Sequence, residues 1–327
     1  MAARTVLCND EQRNSRKSTR SALGETLVEL FDEGRPIVAV DADLSGSTTL
    51  GKFGAHSDET AKRFFNVGIA EQNMVDVAAG LANVGNIAFT GSFAVFGIGR
   101  AYDQIRNTVC YSNLDVKLTP THAGVSVGTD GGSHQMLEDL ALTRPLPNMH
   151  IIVPADYVSA KAAVRLAAET SGPFYVRLGR ADVPQVYDAA CEFAIGGSHT
   201  VREGTDVTIV ACGLEVMEAL EAADALAADG ISAEVIDAYS VKPIDSESIL
   251  ASVGRCGCVV TAEEHSVYGG LGEAVAHLLA ESDPVPLEMV GMRDKFGKSG
   301  PADELMSMFG LDAKAIEAAA RKAVARK

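Results

Sequence analysis

No uninterrupted apolar run in this chain is long enough to cross a bilayer, which excludes a spanning α-helix. Positive charge is scarce too: 28 Lys and Arg stand against 44 Asp and Glu, a formal net charge of −16. That balance repels nucleic acid and anionic membrane, and no concentrated basic patch offsets it, so neither is an expected partner. Paired cysteine motifs are missing as well. Cys8, Cys110, Cys191, Cys212, Cys256 and Cys258 are scattered, and the one close pair is Cys-Gly-Cys rather than Cys-x-x-Cys. Neither bound zinc nor a disulfide framework is expected, and the compartment should be reducing, by default the cytoplasm. Cys256 and Cys258 should share one face of a buried strand. Internal repeats and low-complexity segments are absent. The first residues, Met1 to Arg20, lack the apolar core of a secretory signal and read as a flexible arm, with residues 1–18 lying ahead of the first domain.

What remains is an ordinary globular composition, 47% hydrophobic and 22% charged, over 327 residues, enough for two domains. Apolar runs alternate with amphipathic stretches throughout, the pattern of an α/β fold with mainly parallel sheets. In the first half, a helix carrying Leu23, Leu27, Leu30 and Phe31 leads to a strand at 36–40. A helix with Met74, Val75, Ala78 and Leu81 leads to a strand at 87–90, and one with Ile98, Tyr102, Ile105 and Val109 to a strand at 116–119. Strands at 150–153 and 174–178 flank a helix after Asp156. Periodicity lapses between Ala181 and Glu203, where Pro184, Gly196 and Gly197 mark a connector. We therefore expect one domain at 19–190 and a smaller one at 191–327. The second has strands at 207–211, 233–237 and 258–261, each followed by a helix, and ends in two helices.

In open parallel sheets functional residues sit in loops beyond the carboxyl ends of strands. One such loop, Asp43-Leu44-Ser45-Gly46-Ser47, holds a carboxylate and two hydroxyls, though ordinary turns do the same. A second segment places Glu71 at the start of an Ala-rich helix. The helix dipole alone would favour a glutamate there, but Ile69, Ala70, Met74 and Val75 around it suggest a desolvated carboxyl with a raised pKa. The third, Thr121 to Gln135, is long, rich in glycine, and carries His122, Asp130 and His134. Such a set can bind a polyhydroxylated substrate and move protons near neutrality. Spacings of eight and four match no familiar metal ligand set, so no metal site is expected in this chain.

Three segments taken in order resemble the pyrimidine-binding domain of transketolases: Phe65-Asn66-Val67-Gly68-Ile69-Ala70-Glu71-Gln72-Asn73-Met74, then Gly91-Ser92-Phe93-Ala94-Val95-Phe96 with Arg100-Ala101-Tyr102-Asp103-Gln104, then Thr121-His122-Ala123-Gly124 continuing to Asp130-Gly131 and His134-Gln135. The resemblance is to the C-terminal subunit of the split, two-gene transketolases. It continues through Tyr175-Val176-Arg177-Leu178-Gly179-Arg180 and Thr261-Ala262-Glu263-Glu264-His265-Ser266.

This resemblance implies a thiamine-diphosphate enzyme that transfers a two-carbon ketol unit between sugar phosphates. Glu71 would bond the cofactor's pyrimidine ring and promote the imino form that removes the thiazolium C2 proton. Phe96 and Phe93 would pack that ring, and Asp43 would sit close to it. His122, Asp130 and His134 would contact substrate hydroxyls, His122 and His134 among the catalytic groups with Glu71. Arg20, Ser47 and Arg180 would hold the sugar phosphate, Arg180 being favoured over Arg177 because Ala-Asp-Val-Pro follows it as in the family. The family's Gly-Asp-Gly motif with its later Asn is missing here, so Mg2+ (or Ca2+) and the diphosphate would be held mainly by an N-terminal partner subunit in an α2β2 heterotetramer. Gly128-Thr129-Asp130-Gly131 stands where many relatives read Gly-Glu-Asp-Gly, which removes a carboxylate used in contacts between cofactor sites. Glu263, Glu264 and His265 read as structural or interface residues. Alternatives with similar architecture are a deoxyxylulose-phosphate synthase, a 2-oxo-acid dehydrogenase beta subunit, and a regulatory subunit that has kept the fold.

Overall fold

The computed structural model describes residues 3–327. It is an α/β structure built on two mainly parallel sheets. The first has seven strands in the order Ser240–Lys242, His150–Ile152, Phe174–Val176, Val116–Leu118, Ile87–Gly91, Ile37–Asp41 and Phe64–Asn66. Only the edge strand Ser240–Lys242 is antiparallel, and it comes from the C-terminal half of the chain. The central strands are buried on both faces because their apolar runs do not alternate with polar residues. Alternate side chains then go to opposite layers. Ile37 and Ala39 face Leu23, Leu27 and Leu30 of helix Ser21–Asp32 together with Ala160 and Val164 of helix Tyr157–Glu169. Val38 and Val40 face Met74, Val75 and Ala78 of helix Glu71–Asn83 and Ile98 and Ile105 beyond it.

The second sheet has five strands, Leu287–Met292, Val259–Ser266, Val207–Ala211, Ala233–Asp237 and the antiparallel edge His199–Arg202. Helices Glu215–Ala228 and Ala313–Val324 cover one face, where Leu226, Ile316 and Ala320 pack on Ile209, Val235 and Val260. Val210 of the second sheet and Ile249 of helix Ser246–Cys256 share a core with Ile151 and Val241 of the first sheet and with Leu146 and Val153.

Four expectations are corrected. Residues 4–18 do not form a free arm: Cys8 N donates to the Val186 carbonyl at 3.0 Å and Asp188 N to that of Val6 at 3.0 Å, while Arg16–Ser18 pairs antiparallel with Asp182–Pro184. Backbone groups of both segments are satisfied by each other, which binds the amino terminus to the connector. Met1 and Ala2, the first residues of that expected arm, lie outside the described residues. Next, the helix expected around Ile98 to Val109 is widened into π turns at Val95–Arg100 and Ile105–Cys110; Gly97 and Gly99 weaken a regular helix there. Cys256 ends the helix Ser246–Cys256, Gly257 turns with φ 72°, and only then does the strand approach begin at Cys258, so the two thiols share no strand face. Finally, the strand expected at 258–261 runs Val259–Ser266, so that Glu263, Glu264 and His265 lie inside it.

Candidate active site

Strand Ile37–Asp41 ends in a buried carboxylate. Asp41 accepts from Leu44 N at 2.7 Å and from Thr48 Oγ1 at 3.1 Å, fixing the following loop, and burial pushes its pKa up to about 6. Asp43 is exposed with φ 66°, and Asn66 Nδ2 donates to it at 3.2 Å. Arg20, at the start of helix Ser21–Asp32, donates from Nη1 to the Ser47 carbonyl at 2.9 Å. The expected phosphate contacts Arg20 and Ser47 are thus neighbours.

The loop after strand Val116–Leu118 carries the histidines. His122 has φ 62°, is 2% exposed, and shares a 2.7 Å hydrogen bond between Nδ1 and Thr121 Oγ1. Its ring stacks on Phe93 with centroids 3.8 Å apart. Burial first, then the positive charges of Arg20 and Arg180 and the nearby His134, push its pKa down to about 3. A pKa this low keeps the His122 ring neutral near pH 7, so that it can donate and accept hydrogen bonds. His134 is half-buried, 2.9 Å from Ser133 Oγ through Nδ1, with its ring edge-on to Phe96 at 5.3 Å and to Phe93 at 6.1 Å. Asp130 is exposed on the same loop, and its charge acts on Arg20. Arg180 is half-buried, donates to the Val127 carbonyl, and lies close enough to Arg20 to lower that guanidinium's hold on its proton, after burial has done so. Arg177 is not available to a ligand: 7% exposed, it is spent on Asp139 through Nε at 2.6 Å and on the Glu264 carbonyl at 3.0 Å.

Glu71 opens helix Glu71–Asn83 and is 1% exposed. The apolar setting expected for it is only partly present. Ile69 is 76% exposed and shields nothing, and Arg100 Nη1 meets the Glu71 carboxylate at 2.7 Å. The Arg100 guanidinium also lies over the Phe96 ring, 4.8 Å from its centre. Phe96 and Phe93 stack at 6.3 Å. A line of contacts therefore runs from Glu71 through Arg100, Phe96 and Phe93 to His122, and the charges of Arg20 and Arg180 reach His122 from beyond it. Arg100 is the residue that motif reading missed; it was quoted in Arg-Ala-Tyr-Asp-Gln without a role. Asp43 stands apart from this line, tied to Asn66.

Chemically, the line offers a buried carboxylate, aromatic faces, neutral imidazole and paired guanidinium groups. The carboxylate and aromatic faces fit the pyrimidine half of thiamine diphosphate, and the guanidinium groups fit a phosphate. Among the described residues no group of three or more His, Cys, Asp or Glu is placed to hold a metal ion.

Residues 15–185 match the family model for the transketolase pyrimidine-binding domain, and residues 196–316 that for the transketolase C-terminal domain. The chain is 48% identical over 303 residues to a protein described as a putative transketolase C-terminal section from Methanocaldococcus jannaschii, covering 92% of this chain and 94% of that one. It is 42% identical over 308 residues to a 6-deoxy-6-sulfo-D-fructose transketolase subunit from a Clostridium species, covering 94% of this chain and 95% of that one. A solved structure described as a split gene transketolase, inactive β4 tetramer, superposes with a TM-score of 0.87 at 50% identity, covering 95% of this chain and 99% of that one.

Proposed function

Because the chain belongs to the transketolase family, we propose that it is the C-terminal subunit of a two-chain, thiamine-diphosphate-dependent transketolase that transfers a two-carbon ketol unit from a ketose phosphate to an aldose phosphate. One observation carries the reading: Glu71, Arg100, Phe96, Phe93, His122 and His134, drawn from three separate stretches of sequence, form one line of contacts, and the charges of Arg20 and Arg180 act on its His122 end. A regulatory subunit that had only kept the fold has no need of that set.

The cofactor, when bound, supplies the nucleophilic carbon that carries the two-carbon unit. Glu71 would hold the pyrimidine ring through its carboxylate, the group that Arg100 meets in this structure, and Phe93 and Phe96 would give the ring an apolar wall. His122, neutral, donates to and accepts from substrate hydroxyls, with Asp130 and His134 on the same loop. Arg20 and Arg180, with Ser47, bind the sugar phosphate, their guanidinium groups through charge-assisted hydrogen bonds. Mg2+ or Ca2+ and the diphosphate fall to an N-terminal subunit, in an α2β2 assembly, because this chain lacks the Gly-Asp-Gly motif. The six free cysteines fit a reducing compartment, by default the cytoplasm; no described helix is long and apolar enough to cross a membrane.

Reconstitution tests this reading. The chain alone should be inactive, as the description of the split-gene relative's β4 tetramer supports, and should gain ketol transfer when mixed with an N-terminal transketolase subunit. Full turnover by the chain alone would refute the two-chain reading. A panel of xylulose 5-phosphate, other ketose phosphates and 6-deoxy-6-sulfofructose on the mixed subunits identifies the donor. Condensation of pyruvate with an aldose phosphate, in place of ketol transfer, would move the chain to the deoxyxylulose-phosphate synthases.

A further inference from the structure

The substrate loop is held from outside its own domain. Gly124, two residues after His122, has φ 83°, and a Cβ there would lie 2.1 Å from Cδ of Glu264, which belongs to the second sheet. Glu264 is 5% exposed, and its Oε1 accepts from the backbone N–H of Ser126. Ser126 is the second residue of the 3₁₀ turn Val125–Asp130, and the first N–H groups of such a turn have no partner within it. An acceptor must therefore come from elsewhere, and a buried N–H left without one costs more than the bond is worth when made. A second tether is parallel to the first: Gln135 Nε2 donates to the Val125 carbonyl at 3.0 Å and to the Lys298 carbonyl at 2.8 Å. Glu264 is itself fixed, since its carbonyl accepts from Arg177 Nη2 at 3.0 Å and Arg177 is locked to Asp139.

We propose that Glu264 is a positioning residue: by holding the Ser126 amide it sets the backbone that carries His122, Asp130 and His134, so that the C-terminal half of the chain shapes the substrate channel. The inference rests on the transketolase reading for the meaning of that channel. Packing alone does not account for Glu264, because an aliphatic side chain would fill the space without the desolvation cost of a carboxyl group. The contact also explains why the Thr-His-Ala-Gly segment ends in glycine: no side chain fits against the carboxyl group at that point.

The experiment compares Glu264→Gln and Glu264→Ala in the chain assembled with its N-terminal subunit. A carboxamide oxygen still accepts from Ser126, and a methyl group does not. In E264A, kcat/KM for sugar phosphates should fall by about tenfold or more while the Kd of thiamine diphosphate stays within about twofold, because Glu71 and Phe96 lie on other elements; E264Q should stay within about threefold of the unmodified chain. Gln135→Ala should show the same split more weakly, and takes the place of E264A if that variant does not fold. Unchanged kinetics in the Ala variants, impairment of E264Q equal to that of E264A, or matching loss of cofactor affinity would each overturn the positioning role. Hydrogen exchange separates this from the functional reading. Amides of residues 124–130 should exchange about tenfold faster in E264A than in the unmodified chain, with residues 207–211 unchanged. That result beside an unmodified complex without transferase activity would sink the transketolase reading and leave the positioning role standing, whereas equal exchange in both chains would sink the positioning role whatever the activity.

Discussion

At the scale of single residues, the two arginines of Arg177-Leu178-Gly179-Arg180 show how far type and spacing reach. Both could bind phosphate on paper. Arg177 is buried and spends Nε and Nη2 on Asp139 and two backbone carbonyls, while Arg180 is half-buried and spends one nitrogen on the Val127 carbonyl beside Arg20. Arg180→Ala should therefore raise KM for phosphorylated donors about 10- to 150-fold, equivalent to roughly 1.5–3 kcal/mol, the range of a lost charge-assisted hydrogen bond, and change KM for unphosphorylated hydroxypyruvate much less. Steady-state kinetics on the mixed subunits decide it, and equal losses on both donors would remove Arg180 from the phosphate site. Glu71 differs in kind. Glu71→Gln keeps the shape and the helix start, so subunit assembly measured by sedimentation should persist, while kcat falls by about 10² or more, as for loss of a general acid-base group. Retained turnover would return Glu71 to helix-start electrostatics and its pairing with Arg100. Residue types in an ordered motif made these groups legible in the sequence. The environment was not: Arg100 against Glu71, the exposure of Ile69 and the neutrality of His122 all depend on segments brought together only by the sheet.

At the scale of elements, strands buried on both faces were legible because a run such as Ile37 to Val40 has no polar alternation, and Gly34 and Gly230, at φ 84° and 81°, follow the ends of their helices. Short elements escaped. Ser240–Lys242 carries too few residues for a pattern, and its place in the first sheet is set by its partner His150–Ile152. Caps were partly legible: Asp156 was seen to precede a helix, yet its second task was not visible. Its Oδ1 accepts from Ser159 N at 2.8 Å, and its Oδ2 accepts from Val186 N at 2.8 Å and Tyr187 N at 2.9 Å, so one buried side chain starts helix Tyr157–Glu169 and pins the connector to it. Asp156→Ala leaves three buried donors without partners and should cost about 3 kcal/mol or more in denaturant unfolding. Asp312 caps helix Ala313–Val324 through Ala315 N alone, at 3.1 Å and half-buried, so Asp312→Ala should cost about 1 kcal/mol. Similar losses in the two variants would mean that the connector contacts contribute nothing.

At the scale of the whole molecule, an acidic chain has buried part of its acid. Glu263 caps the helix Leu271–Glu281 through Leu271 N at 2.7 Å and Gly272 N at 2.8 Å, yet burial raises its pKa to about 7, as it does for Glu264. Burial raises Asp237 to about 8. Glu215, fully buried, has no hydrogen-bond partner for either carboxyl oxygen, and burial, then the charges of Glu264, Glu218, Glu263 and Asp312, drive its pKa well up. A carboxyl whose folded pKa is raised stabilises the fold below its unfolded value, and that contribution is lost as pH rises through the folded value. The buried His122 and His265, pushed down to about 3 and about 4, act the opposite way, but only below about pH 6.5, where unfolded histidine takes up protons. Lys117, lowered to about 8, enters only above that value. Between pH 6.5 and 8 the carboxyl groups therefore govern, and stability should fall as pH rises, by up to about 1.4 kcal/mol per pH unit for each proton held in the folded state alone. Glu215→Gln removes one such proton without changing shape, so the variant should melt higher than the unmodified chain at pH 8 and show a flatter dependence from pH 6.5 to 8. Thermal melts of both proteins across that window test this. A parallel pair of curves would mean that Glu215 carries no proton in the fold.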